Sequence, residues 1–259
     1  MSDLVTIVMP NYNCQKFIGQ AIASVLNQSY VYWHLIIVDD ASTDNSVEII
    51  RSYEKVHERI ELIALDKNLG TTAARNIGIE KSKGDLLAFM DSDDLWMKNR
   101  LEKTIDFLLH GDYDFVYSSY KRADENLAPL LSDYIVPEKL SFKDMLYHNP
   151  ISIPSVLIRI GRIGKYYQPD VPKREDHALW LSILEDIEYA YGIPEPLFVY
   201  RIRKGSLSRN KLEMAKFQYL LYRRYLKLSF CESFYYTVHW AINGLKKYRK
   251  FFCYIFKRK

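Results

Sequence analysis

Three carboxylates fall within four residues at Asp91-Ser92-Asp93-Asp94, directly after the apolar run Leu86–Met90. Two acids two residues apart at a strand end present oxygen ligands to a hard divalent ion, Mn²⁺ or Mg²⁺, held mainly by a bound phosphate. Turns and helix caps use the same residue types. Three like charges this close nevertheless repel unless a cation or hydrogen bonds offset them. Asp39-Asp40 closes a second apolar run and suits a ribose hydroxyl or a base N–H; capping of the next helix is the alternative. Tyr12 offers a flat face for a base, or simply packs. Arg75, near the start of a helix over Thr72–Lys81, reaches a diphosphate or lies on the surface as an ordinary arginine. A further acidic pair, Glu175-Asp176, opens a helix with Leu179, Trp180, Ile183 and Leu184 inward.

Other chemistries lack their parts. No GxGxxG follows the first apolar run and no GxxxxGK[ST] occurs, so dinucleotide and P-loop phosphate cradles are missing. A G-x-S-x-G nucleophile elbow is also absent. Three cysteines are too few and too scattered for a disulfide framework or a CxxC metal site, which suits a reducing cytosol. Among the six histidines, His177 sits beside the acidic pair but reads as a bystander rather than a ligand.

These residues need a scaffold that gathers strand ends. Short β-branched runs at Val5–Met9, Leu35–Val38, Ile60–Leu65, Leu86–Met90 and Phe115–Ser118 alternate with helical spacing such as Ile18, Ile22, Val25 and Leu26. That alternation predicts an α/β fold with a mainly parallel sheet flanked by helices. Ligands then sit at the carboxyl ends of the strands, where Pro10–Asn13, Asp39–Ser42, Asn68–Gly70 and Asp91–Asp94 line one rim. Ser42 or Thr43 would cap the helix carrying Val47, Ile49 and Ile50. Lys121–Asp133 reads as a loop over the site, Ile151–Ile160 as an apolar β-branched run, and Leu197–Ile202 as a strand.

At 259 residues and 48% hydrophobic the chain can bury a sizeable core, which excludes disorder and disulfide-stapled mini-proteins. The net charge of +4 hides a division: residues 201–259 hold 16 Lys/Arg against two acids, and residues 1–200 hold 20 basic against 30 acidic residues. The tail also carries 14 of the 37 aromatic residues. No signal peptide opens the sequence, and no window approaches the roughly 18 apolar residues of a membrane span. The expectation is a soluble or peripheral protein.

Thr6–Asn13, Ala23–Tyr30, Ile36–Asp44, Asn68-Leu69-Gly70 with Ala73-Ala74-Arg75-Asn76, and Asp91–Asp94 occur in an order that closely resembles family 2 glycosyltransferases of the GT-A fold. Arg174–Leu181 and Tyr200-Arg201 with Ser206-Leu207-Ser208 extend the likeness, which covers about residues 4–210 and is nearest to bacterial teichuronic acid, capsule and O-antigen enzymes. The resemblance implies a Rossmann-like catalytic domain over residues 1–206, with a nucleotide half (1–118) and an acceptor half (119–206). It implies that Pro10 and Tyr12 contact the uracil of a UDP-sugar, that Asp39 and Asp40 contact base and ribose, and that Arg75 lies near the nucleotide. Asp91 would approach the donor ribose or sugar, Asp93 with Asp91 would hold Mn²⁺ or Mg²⁺, and Asp176 would be the catalytic base with Glu175 beside it. The Gln-x-x-Arg-Trp motif of processive members is missing, which argues against processivity. A carboxylate base opposite the anomeric carbon implies direct displacement and inversion, and the resemblance implies transfer of single sugars onto a saccharide or lipid-linked acceptor.

Residues 207–259 form a basic, aromatic helical extension in which Phe217, Leu220, Leu221, Tyr225 and Leu228 keep helical spacing, followed by Phe230–Leu245 and Lys246-Lys247-Tyr248-Arg249-Lys250. Such helices bind anionic membrane surfaces, at about 1 kcal/mol per basic residue, or pack on the catalytic domain or a second subunit. The expected location is the cytoplasm, peripheral on the inner face of the membrane, with a homo-oligomer open and no nucleic acid partner. Two other readings are a sugar-phosphate nucleotidyltransferase, disfavoured by the missing glycine-rich basic loop, and a non-catalytic polyanion-binding module.

Overall fold

The computed structural model describes residues 3–203 and 211–256, with side chains over 213–244 in the last segment. Ser206-Leu207-Ser208, Lys257–Lys259 and the expected boundary at 206/207 lie outside the described residues. The strands are β1 (Val5–Asn11), β2 (Trp33–Asp39), β3 (Ile60–Ala64), β4 (Leu86–Phe89), β5 (Leu95–Trp96), β6 (Phe115–Ala123), β7 (Pro129–Tyr134), β8 (Lys139–Leu140), β9 (Leu157–Ile158) and β10 (Ala190–Arg201). The helices are α1 (Ile18–Leu26), α2 (Ser46–Glu54), α3 (Thr71–Lys81), α4 (Arg100–His110), α5 (Phe142–Tyr147), α6 (Ile160–Ile163), α7 (Glu175–Asp186), α8 (Lys211–Leu220) and α9 (Phe230–Phe256).

One mixed sheet runs in the order β3-β2-β1-β4-β9-β6-β10-β5, with β7 on β6 and β8 on β10. The longest ladders are parallel: β1 with β2 over seven pairs, β2 with β3 over five and β6 with β10 over eight. The two-residue strands β5, β8 and β9 pair antiparallel. After β3 the chain crosses back through α3 and places β4 on the far side of β1. The crossover reverses at β1, so a crevice opens beyond the carboxyl ends of β1 and β4, where such folds bind ligands. Close packing holds α3 there, because a Cβ at Gly78 would collide with the Val8 side chain of β1.

The structure corrects or refines four readings. Residues 121–133 form a β6–β7 hairpin rather than a loop, because the Asp124 carboxylate accepts Asn126 N and Ala128 N at 2.9 Å and closes the turn. Neither Ser42 nor Thr43 caps α2, which starts at Ser46; the Ser42 hydroxyl donates to Asp39 instead, and Asp44 accepts Ser46 N. Pro10 is not in a loop but within β1, opposite Val38. It lies past the last β1–β4 pair, Val8 with Phe89, where its missing N–H interrupts no ladder. The run Ile151–Ile160 is broken at Pro154 into a 3₁₀ turn, β9 and the start of α6.

Two large cores cover the two faces of the sheet. The described part of the tail joins the first: Leu221 and Tyr222 pack with Trp180, Leu184 and Met145. A π turn, Leu221–Tyr225, separates α8 from α9.

Candidate active site

The crevice at the ends of β1 and β4 collects most of the sequence-predicted residues. Arg75, in the second turn of α3, is buried rather than on the surface. Its Nη2 donates to Asp91 Oδ1 at 3.0 Å and its Nη1 to Gln168 Oε1 at 2.8 Å. Asn76 locks the same loop, with Nδ2 donating to Gln168 O and Oδ1 accepting Gln168 N, both at 2.8 Å. A loop far from α3 in sequence therefore fixes the guanidinium.

The acids after β4 take three different environments. Asp94 is buried; its Oδ1 accepts Arg201 N at 2.8 Å and its Oδ2 has no partner. Burial, then Asp91 and Asp93, push its carboxyl well above the usual range. Asp93 keeps some exposure and pairs through Oδ2 with Arg203 Nε at 2.7 Å, while Arg201 Nε donates to Asp93 O. Burial and Asp91 push Asp93 up, and Arg203 opposes them. Burial also pushes Asp91 up, against Arg75 and with Asp176. Asp176 thus lies within electrostatic reach of both Asp91 and Arg75.

Asp176 stands in the first turn of α7, with Oδ1 accepting His177 N at 2.7 Å. A helix dipole alone would lower its pKa; burial wins, and the pKa is raised. Glu175 turns the other way and accepts Lys173 N. The turn that delivers this pair bends through Lys173, whose φ of 61° lies in the left-handed region.

Asp39 and Asp40 are both buried and both engaged. Asp39 accepts Asn11 Nδ2 at 2.7 Å, Ser42 N at 2.8 Å and the Ser42 hydroxyl. Asp40 accepts Leu69 N at 2.7 Å and Gly70 N at 2.9 Å, and so holds the entry to α3, where Gly70 takes a φ of 90°. Neither caps α2. Tyr12 is 49% exposed at the end of β1 and is free to stack.

Asp91 and Asp93 supply hard oxygen donors, and burial makes both ionised carboxylates costly, a cost that a bound cation would relieve. Among the described residues no three His, Cys, Asp or Glu groups gather into a ready cage. The donor set suits an ion that takes one or two carboxylates and completes its sphere with substrate phosphate and water, which is how Mg²⁺ binds.

Sequence reasoning missed Gln168, Asn76 as its clamp, Arg203, and four contacts made by the tail. Arg174 Nη2 donates to Met214 O at 3.0 Å, and its guanidinium lies 4.7 Å from the Trp240 ring centroid. Lys173 pairs with Glu213 at 2.6 Å, and buried Gln218 donates Nε2 to His177 Nδ1 at 3.2 Å. His177 Nε2 bonds Met145 O, so this histidine is a structural neutral ring and no ligand. The basic, aromatic character of the tail was visible, but nothing local announced its contacts with residues 173–177.

The glycosyl transferase family 2 model matches residues 6–156, more than half of the chain and all of the β1–β4 rim. The chain belongs to glycosyl transferase family 2. This glycosyltransferase is 37% identical over 244 residues to TuaG of Bacillus subtilis (strain 168), named for teichuronic acid biosynthesis, covering 94% of this chain and 97% of that one. It is 31% identical over 246 residues to the Escherichia coli UDP-Glc:alpha-D-GlcNAc-diphosphoundecaprenol beta-1,3-glucosyltransferase WfgD, covering 95% of each chain. Its fold superposes on S. aureus TarS 1-349 in complex with UDP-GlcNAc with a TM-score of 0.69 at 18% identity, over 88% of this chain and 69% of that one. The mannosyltransferase PcManGT of Pyrobaculum calidifontis, in complex with GDP-Man and Mn²⁺, gives 0.65 at 16% identity, over 88% and 66%. The α/β fold with its helical C-terminal extension is thus that of the GT-A glycosyltransferases.

Proposed function

We propose that this glycosyltransferase moves one sugar from a UDP-sugar to a saccharide carried on a lipid diphosphate, with inversion at the anomeric carbon, in bacterial surface polysaccharide synthesis. The observation that carries the reading is the gathering of Arg75, Asp91, Asp93 and Asp176 at the point where the sheet reverses. A UDP-glucosyltransferase acting on a diphosphoundecaprenol-linked acceptor among the relatives supports the substrate classes. Such an acceptor puts the reaction at the cytoplasmic face of a membrane.

Tyr12 stacks on the uracil beyond Pro10. Asp39 and Asp40 retain lone pairs for the base and ribose while they hold the loops that frame it. Arg75 keeps Asp91 oriented toward the donor. Asp93, with Asp91, would hold a divalent cation, Mn²⁺ or Mg²⁺, which supplies Lewis-acid neutralisation of charge on the leaving diphosphate. Asp176 takes the proton of the acceptor hydroxyl. A carboxylate whose pKa burial has raised is a stronger base than an exposed one, which suits it to a poor nucleophile. Glu175, tied to the Lys173 amide, keeps the turn in place.

The test is release of UDP from UDP-glucose, UDP-N-acetylglucosamine and UDP-galactose in Mn²⁺, with and without a synthetic lipid-diphosphate saccharide. Acceptor-dependent release from one of them is expected. No release from any UDP-sugar, or pyrophosphate formed from UTP and a sugar phosphate, would overturn the reading.

A further inference from the structure

Over residues 230–242 the outer side of α9 is largely apolar and exposed. Phe230 is 65% and Phe234 60% exposed, and Val238, Ile242, Tyr235 and Cys231 are exposed with them. At about 100° per residue these six fall within an arc of about 140°. The opposite side faces the protein: Ser233 is buried, Asn243 Nδ2 donates to Tyr147 O, and Trp240 packs under Arg174. The helix is therefore amphipathic in the solved sense, with one side docked and one side bare. Three exposed cations, Arg223, Arg224 and Lys227, stand at its start. The sequence of the helix continues into Lys246, Lys247, Arg249 and Lys250. Exposed Phe beside Lys and Arg, with Glu232 the one acid in Phe230–Phe256, matches a surface that is apolar below and anionic at its headgroups. Among the described residues no helix is long and apolar enough to cross a membrane.

We infer that the Phe230–Ile242 face of α9 docks on an anionic phospholipid surface and holds the base-bearing turn beside it. Trp240 and the exposed arc lie on nearly opposite sides of one helix, and a helix with side chains is about 10–12 Å across. Arg174, two residues from Asp176, is thus carried about one helix diameter above the lipid, within reach of a headgroup-level diphosphate. The inference rests on the lipid-linked acceptor proposed above only for this last consequence; binding to lipid stands or falls alone.

Full-length protein is floated with vesicles of phosphatidylcholine alone and of phosphatidylcholine with 30% phosphatidylglycerol. The native chain is expected to bind the anionic vesicles at least tenfold better. Phe230→Asp with Phe234→Asp, and separately Arg223→Glu with Arg224→Glu, are each expected to lower that binding tenfold or more with unchanged melting temperature and unchanged UDP release to a soluble acceptor. Equal binding to both vesicles, or full binding by the Phe variant, would overturn the inference. So would a dimer in solution that the Phe variant dissociates, which gives the face to a second copy, or retention on DNA but not on anionic vesicles. Vesicle binding by a chain that releases no UDP from any donor would overturn the proposed function and leave this one standing.

Discussion

His177 should make this protein acid-labile in a narrow window. Its ring is buried, accepts Gln218 Nε2 at Nδ1 and donates Nε2–H to Met145 O, and burial pushes its pKa down to about 4. An unfolded histidine titrates near 6.5. Between those values the unfolded chain binds the extra proton, so the stability this residue contributes is complete above about pH 6.5 and is lost as pH falls toward 4. At pH 5 the linkage relation gives a loss of about 2 kcal/mol relative to pH 7. For a chain of this size that is about 4–8 °C in melting temperature. The raised carboxyls Asp91, Asp93, Asp94 and Asp176 work in the opposite sense, since a folded acid that holds its proton favours the native state at low pH. The comparison must therefore be a difference. Urea unfolding at pH 7 and pH 5 is measured for the native chain and for His177→Gln, which keeps polar groups and removes the titration. The native chain should lose about 2 kcal/mol more than the variant. Equal losses would show that His177 is not the acid-sensitive group.

Asp176→Asn should leave UDP-sugar affinity within about twofold and lower transfer by about 10²–10⁴-fold, the usual worth of a general base; normal turnover would remove Asp176 from that role. Asp40→Ala leaves Leu69 N and Gly70 N without their acceptor and should cost about 3–6 kcal/mol by chemical denaturation, since bonds to a charged group are worth about 1.5–3 kcal/mol each. A chain stopped at Ser206 should lose turnover even on a soluble acceptor, because Met214, Gln218 and Trp240 hold residues 173–177; retained turnover would show that the base turn stands without them.

The parallel half of the sheet was readable because β-branched runs such as Leu35–Val38 are continuous and end in polar residues that cannot stay in a strand. The polar ends then located the crevice. Two-residue strands such as Leu95–Trp96 have no period to detect, and β10 hides its first half behind Pro194 and Pro196, where the register shifts. Within the site, Asp91, Asp93 and Asp94 are the same letter. Only their surroundings, an arginine from α3, an arginine after β10 and a buried backbone amide, give them different partners. Gln168 sits in a loop without pattern, and its value comes wholly from Arg75 and Asn76 some ninety residues earlier. The tail showed an amphipathic period, but period says which side is apolar and not what the other side grips.

The grip of α8 on residues 173–177 also sets a clock. The bonds from Arg174 to Met214 and from His177 to Gln218 span 40 and 41 residues. At about 5–20 residues per second, a ribosome needs roughly 2–8 s to add the partners after the base turn has been made. During that interval the Asp39, Asp40 and Arg75–Asp91 contacts of the rim, which lie earlier in the chain, can already form while the turn that completes it has nothing to lean on. A nascent chain would thus acquire the means to hold a sugar nucleotide before it acquires the means to spend it.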